Sequence, residues 1–268
     1  MRYSLAAAAM ATTVAAMAAL PAAAATFSGY DINLVGTSVI IGSDLQLTDV
    51  NGGHGAAWFT SALSTSNSFA FTFSFSLAKG NFDPMADGIS FALQANGTNV
   101  IGGGGGGIGY TGLGAVGSIV QTWDNNRVGL NTTGEPIPNQ NAYLTTTAAP
   151  ANLGAASLVT GTQTVRYNAT TQLLSMNGTL NVDGTAYSFN DAATIDLAAR
   201  FGQTMYAGFT GSTGLSQADQ RITGFAVAAV PEPESYALLL VGLGVICWAT
   251  RRGNHPAKAA AGTSPAES

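Results

Sequence analysis

One cysteine, Cys247, occurs in 268 residues, so no intrachain disulfide can form and buried core must supply the stability. Glutamate is nearly missing too. Between residues 26 and 230 the only one is Glu135, in the run GEPIP, and no Glu-x-Asp-x-x-Glu pattern exists. Retaining glycan hydrolysis needs two carboxylates about 5 Å apart. The aspartate pair Asp191 and Asp196 falls on an expected loop and does not supply them. The same stretch has one histidine, His54, in Gly52-Gly53-His54-Gly55, which reads as a turn without a serine or cysteine nucleophile signature beside it. Cations are scarce: one lysine and four arginines face ten aspartates and one glutamate, a balance that repels nucleic acid. Helical periodicity of useful length is absent outside the two ends of the chain, with only a short hint at 192–201.

What is present begins with the ends. Arg2, an apolar alanine-rich run to Leu20, then Pro21 and Ala22 to Ala25 predict a secretory signal peptide over 1–25, cut after Ala25. Near the other end, 236–250 (YALLLVGLGVICWAT) predicts an apolar helix of roughly 22 Å, which crosses a ~30 Å hydrocarbon core only with help from its flanks. Arg251 and Arg252 orient that helix with its basic end in the cytoplasm. Pro231-Glu232-Pro233, the apolar helix and the arginine pair together resemble the PEP-CTERM sorting signal of Gram-negative bacteria. The resemblance implies export, a membrane helix before processing, and recognition by an exosortase over 231–252. The chain departs from that pattern by running on through 253–268, a polar tail expected to be disordered.

Between the processed ends, 26–230 is long enough for one large domain. Residues 68–77 (SFAFTFSFSL) alternate strictly, with Phe69, Phe71, Phe73, Phe75 and Leu77 on one face and small polar side chains on the other. Further strands are expected at 31–35, 88–94, 118–123, 127–131, 163–167, 173–182, 204–210 and 222–227, with Gly, Asn, Asp and Pro clusters between them. The fold class is therefore all-β, an antiparallel sandwich or jelly roll.

Chemistry concentrates in 86–110, ADGISFALQANGTNVIGGGGGGIGY. Asp87 stands at the lip of the strand 88–94, and Gly102 to Gly107 form a stretch of backbone without side chains, where a ligand can reach N–H groups directly. No Lys-Ser/Thr pair follows the glycines, which excludes a phosphate loop. Taken singly, Asp-Gly also reads as a turn and the glycine run as a flexible loop. In this order and spacing the segment resembles the L-type (legume-type) lectins in their bacterial form. Ala56-Ala57-Trp58-Phe59 ahead of the Phe-rich strand, and 206–214 (YAGFTGSTG) ahead of 222–227, extend the resemblance over most of the domain.

The resemblance implies a concanavalin-like sandwich with a sugar site on loops at one end. It carries the sugar-binding positions onto Asp87, Gly106 or its neighbour Gly105, Asn125, and Thr213-Gly214. Trp123 either stacks on a pyranose face or lies inward as a core tryptophan. The lectins commonly hold calcium and a transition metal on Val-Glu-Phe-Asp-Thr, a following Asn and a downstream His. Here Ile119 stands at the Glu, Gln121 at the Asp and Arg127 near the His, so the transition-metal site is expected to be lost. Asp87, Asp124 and Asn125 remain as candidate calcium ligands, with Arg127 an alternative counter-charge for Asp87 or Asp124.

These expectations describe an exported, non-catalytic protein that binds a glycan or exopolysaccharide, displayed on the cell surface or released from it. Affinity for a single sugar is expected to be millimolar to high micromolar. The alternative is a structural surface or matrix protein that keeps the sandwich and has lost sugar binding.

Overall fold

The structure of the chain, a computed structural model, describes residues 27, 30–123, 126–133 and 151–229. The expected signal peptide 1–25, sorting signal 231–252 and tail 253–268 lie outside the described residues, as do Asp124, Asn125 and Glu135.

Two antiparallel sheets form the described domain, with strands numbered along the chain. In the first, β1 (Ile32–Gly36), β4 (His54–Phe59), β13 (Thr204–Ser212), β7 (Gly88–Gln94), β8 (Val116–Gln121) and β9 (Arg127–Asn131) lie in that order, and the short β5 (Leu63–Ser64) pairs with the start of β13. In the second the order is β12 (Thr185–Thr194), β11 (Leu173–Val182), β10 (Leu158–Asn168), β6 (Phe69–Lys79), β14 (Ala218–Ala229), β3 (Asp44–Thr48) and β2 (Val39–Ile41). One short helix, α1 (Leu197–Phe201), lies inside the 192–201 hint and is N-capped by Asp196, whose carboxylate accepts the Ala199 N–H.

The period-2 pattern of β6 decides which face is core. Phe69, Phe71, Phe73, Phe75 and Leu77 are all buried. Their rings interdigitate with those of the first sheet: Phe73 meets Phe91 at 5.9 Å and Phe209 at 5.1 Å between centroids. Each such ring contributes about 1.5–3 kcal/mol by leaving water. On the opposite face of β6 the polar alternates pair across strands, Thr72 with Thr164 at 2.9 Å and Ser74 with Thr162 at 3.3 Å. Phe27 is fully buried against Phe209 and Phe225, which ties the start of the described chain into the core.

A half-buried strand was expected at 88–94, yet every residue of β7 is buried, as is every residue of β8. The cause is a second, smaller core on the outer face of the first sheet. Ile108, Tyr110, Leu113 and Ala115, from the segment between β7 and β8, fold back onto Ala56, Trp58, Ala92 and Ile119. Trp58 fixes the cover by donating its indole N–H to Val100 O at 2.8 Å, and Tyr110 donates its hydroxyl to Ala115 O at 2.7 Å. The segment that follows the glycines is thus a packed layer, while Gly103 and Gly104 remain exposed at its edge.

Five of the described strands, β2, β3, β4, β5 and β12, lie outside the expected runs, and β12 shows a physical cause. β12 carries Asp191 at a core-facing position, after Phe189, which breaks the apolar alternation. Its carboxylate is buried because one oxygen accepts Leu130 N–H at 2.9 Å from the first sheet and the other accepts Ala192 N–H at 2.7 Å. Asp191 was expected on a loop and instead sews the two sheets together. His54 was expected in a turn and instead opens β4, opposite Ser212.

Candidate functional site

The end of β13 and the start of β7 bring the candidate residues together. Asp87 immediately precedes β7, and its backbone is held on both sides: its N–H donates to Ser212 O at 3.0 Å, and its carbonyl accepts Thr122 N–H at 2.9 Å and Trp123 N–H at 3.3 Å. This second clamp turns 122–123 away from the ladder, so β8 stops at Gln121 and not at Trp123 as expected. The Ala86–Asp87 peptide is cis. Gly88 follows with φ 141°, and a Cβ there would lie 2.2 Å from Val120 O. The Asp-Gly pair therefore needs its glycine for backbone reasons, whatever the acid does.

The Asp87 side chain was expected at a rim and is only 4% exposed. Its Oδ2 has no hydrogen-bond partner among the described residues. Burial pushes its carboxyl up to about 6, because a charged oxygen taken from water loses solvation that nothing here returns.

Two glycines approach that oxygen. A Cβ on Gly214 would lie 3.3 Å from Asp87 Oδ2 and 3.9 Å from Gly105 Cα, and a Cβ on Gly105 would lie 3.9 Å from the same Oδ2. Gly105 has φ 56°, a left-handed conformation in the single 3-10 turn Gly105–Gly107. Ser212 fixes that turn by donating its hydroxyl to Gly105 O at 2.6 Å. Within the glycine run, the N–H groups of Gly102, Gly103, Gly107 and Gly109 are used internally. Those of Gly104, Gly105 and Gly106 have no acceptor among the described residues. The acceptor Oδ2 thus lies close to Gly105 and Gly214, and the Gly105 amide is open, an arrangement suited to hydroxyl groups.

Other expected site residues are placed differently. Thr213 is buried: its hydroxyl donates to Val50 O and accepts Gly53 N–H at 3.1 Å, while its own N–H donates to Gly53 O at 2.8 Å. Its side chain props the 50–53 turn, so its hydroxyl is spent within the fold. Trp123 is 41% exposed, which excludes the inward core position. Asn125 and Asp124 fall outside the described residues.

At the positions aligned with the lectins' metal ligands the chain carries Ile119, Gln121 and Arg127. Ile119 packs fully buried in the outer core, and Gln121, also buried, lies opposite Gly88 on one side and Arg127 on the other. Among the described residues no three of His, Cys, Asp or Glu come together. An isoleucine and an amide where two carboxylates would stand do not fit a transition metal. Asp87 forms no ion pair with Arg127; the ion pairs among the described residues are Lys79–Asp83 and Arg221–Asp219.

Two supporting residues were not singled out beforehand. Gln220 reaches across from the second sheet, fully buried, to donate to Ser212 O at 2.7 Å and Ala86 O at 3.4 Å, bracing both neighbours of Asp87. Its signal was a polar residue at a core position of the alternation Ala218, Gln220, Ile222. Ser212, which anchors Gly105, had no signal distinguishing it from the other small polar residues of 210–213. Hollows of about 480 Å³ on the outer face of the second sheet and about 630 Å³ beside α1 lie elsewhere, and Asp87 lines neither.

Comparison with known proteins adds two findings. Residues 229–253 match the PEP-CTERM protein-sorting motif, which includes Pro231, Glu232, Pro233, Arg251 and Arg252. The structure is similar to the Bauhinia forficata lectin in complex with GalNAc, with TM-score 0.61 and 21% identity over 77% of this chain and 96% of that one. It is similar also to peanut lectin with a nine-residue peptide, with TM-score 0.62 and 21% identity over 77% and 95% of the two chains. The metal-free form of lectin I-B4 from Griffonia simplicifolia matches with TM-score 0.57 and 18% identity over 75% and 94%. The domain therefore has the β-sandwich fold of the legume lectins, and residues 229–253 form a PEP-CTERM sorting motif.

Proposed function

We propose that this is an exported, non-catalytic glycan-binding protein whose site is built on Asp87, the amides of Gly105 and Gly106, and Gly214, with Asn125 completing it. The observation that carries this reading is the buried, unpartnered Asp87 Oδ2 facing Gly105 and Gly214. Two sugar hydroxyls donating to that carboxylate supply hydrogen bonds of roughly 1.5–3 kcal/mol each and return the solvation that burial removed. The free glycine amides donate to a third oxygen, and half-exposed Trp123, joined to Asp87 through its backbone, offers a face for the sugar ring. The solved lectin with GalNAc shares the fold and supports the ligand class.

Export rests on the sorting motif at 229–253. In this reading residues 1–25 are removed, an exosortase recognises 231–252 while its helix is in the membrane, and the domain 26–230 reaches the envelope or the outside of a Gram-negative type cell. Several copies on one surface turn a weak single-site affinity into useful adhesion to exopolysaccharide. Calcium, if held, sits on Asp87, Asp124 and Asn125; the transition-metal position is vacated by Ile119 and Gln121.

A second reading is favoured by Ile119 itself: with the metal strand converted to packing, the sandwich serves as a structural surface protein. A glycan array with wild type and Asp87→Ala separates the two. Hits abolished by the substitution are expected. An empty array for both proteins favours the structural role, and hits unchanged by the substitution place the site elsewhere.

A further inference from the structure

One strand, β14, joins the Asp87 site to the sorting motif. Gln220, near its start, donates to Ala86 O and Ser212 O beside the acid, and Ala229, its last residue, is the first residue of the PEP-CTERM match. No spacer separates strand from motif. From Gln220 to Ala229 the strand advances nine residues, about 30 Å at roughly 3.3 Å each. The first sheet agrees in direction. His54, at the start of β4, pairs with Ser212, whereas Phe59, at its end, packs on Tyr30 and Phe225 with ring centroids 6.1 and 5.1 Å away. The chain therefore enters the domain away from Asp87 and leaves it away from Asp87. Between Ala229 and the apolar run that begins at Tyr236 stand only residues 230–235. Even fully extended, so short a segment reaches about 20–25 Å, and crossing the headgroup layer uses roughly 5–7 Å of that.

We infer that the chain, while held by its sorting segment, presents the Asp87 site outward to polysaccharide beyond its own membrane and is barred from short glycolipid headgroups in the bilayer that holds it. This rests on the glycan-binding reading and on the membrane stage of the sorting segment proposed above, and it names where the partner lies. The two lengths decide it. Turning the Asp87 end onto the bilayer lifts Ala229 about 30 Å from the surface, and the connecting residues, once through the headgroups, span less than about 20 Å. Every orientation the connection allows keeps the site off the bilayer. A polysaccharide chain approaching from outside meets no such limit. Capture of polysaccharide therefore does not wait for cleavage by the exosortase, and the processed domain can leave the membrane with its ligand already bound.

The test places the full chain in lipid nanodiscs and uses two readouts. In the first, a dye is attached at Asn67→Cys or at Leu215→Cys, each in a Cys247→Ala background, and energy transfer to acceptor lipids is measured. Asn67 is exposed two residues before Phe69, the strand partner of Ala229, and Leu215 follows Gly214 at the site. Strong transfer from position 67 and weak transfer from position 215 are expected. Equal transfer, or the reverse order, overturns the inference without touching glycan binding. In the second, nanodiscs capture soluble polymers bearing galactose, glucose, mannose or N-acetylgalactosamine, with or without the same single sugar on a short glycolipid in the bilayer. The natural chain is compared with one carrying a thirty-residue Gly/Ser insertion after Val230, whose r.m.s. span is about 30 Å. Glycolipid is expected to lower polymer capture by less than about twofold for the natural chain and by about fivefold or more for the insertion, because a lipid within reach acts at millimolar effective concentration on a weak site. Equal competition in both chains overturns the inference. Absence of polymer capture, or capture unchanged by Asp87→Ala, overturns the glycan role and this inference with it.

Discussion

Replacing Asp87 by asparagine is expected to make the protein more stable and unable to bind its ligand. The folded carboxyl titrates near 6 where the ordinary value is 3.8, because burial disfavours its charge. Each unit of such a difference is worth about 1.4 kcal/mol, so the ionised acid costs the folded state about 3 kcal/mol at neutral pH. The folded state holds this proton more tightly than the unfolded chain does. Stability is therefore greatest below the unfolded value, falls as pH rises through the folded value, and is flat above it. Asparagine has nearly the same shape and no charge, but its amide brings hydrogens that also need partners, at a cost of about 1 kcal/mol. The net gain is about 2 kcal/mol at pH 8, crosses zero at roughly pH 4–5 and becomes a loss of about 1 kcal/mol near pH 3.5. For a domain of this size that corresponds to a melting temperature higher by roughly 4–8 °C at pH 8. Thermal melts of both proteins from pH 3.5 to 8, in chelator, measure it. A difference that does not change with pH, or an asparagine variant less stable at pH 8, refutes the reasoning that Asp87 is a stressed, unpartnered acid retained for a ligand.

Four further substitutions test the surrounding structure. Gly88→Ala places a Cβ 2.2 Å from Val120 O at φ 141° and is expected to destabilise by about 3 kcal/mol or prevent folding, measured by urea unfolding. Phe91→Ala empties the centre of the aromatic cluster and is expected to cost about 3–5 kcal/mol in the same assay with an unchanged slope. Gly214→Val fills the space in front of Asp87 Oδ2 and is expected to abolish glycan binding, with a melting temperature within a few degrees of wild type. Asp191→Ala leaves the Leu130 N–H without its acceptor and is expected to cost about 1–3 kcal/mol, read by urea unfolding and by faster hydrogen exchange at the β9–β12 edge.

The sandwich was legible wherever one face of a strand is core and the other is not. The bounds of β7, β9 and β11 coincide with 88–94, 127–131 and 173–182, because turn residues bracket each run. Legibility failed where a polar side chain is buried for a structural reason. Asp191 hid β12, and β3 was passed over although four of its five residues are buried, two of them polar. It failed again where a distant segment covers a face, since nothing in the local pattern of 88–94 announces that Ile108 and Tyr110 will lie on its outer side. In the site, Asp87, Gly105 and Gly214 could be named because the resemblance to the L-type lectins rests on the order and spacing of acid and glycines, which no one of them carries singly. The depth of Asp87 could not, because it is set by Ser212 and Gln220 bracing the backbone around it. Thr213 shows the converse: a polar residue beside the site whose hydroxyl is spent on the neighbouring turn.

The most direct test of the central claim is amide chemical-shift mapping while neutral sugars are titrated into the exported protein. Ligand hydroxyls that meet the Asp87 carboxylate and the open glycine amides will shift Gly104, Gly105, Gly106 and Gly214, and Asp87→Ala will silence those shifts. Shifts confined to the outer face of the second sheet around Thr162 and Thr179, or the same shifts in Asp87→Ala, would contradict it.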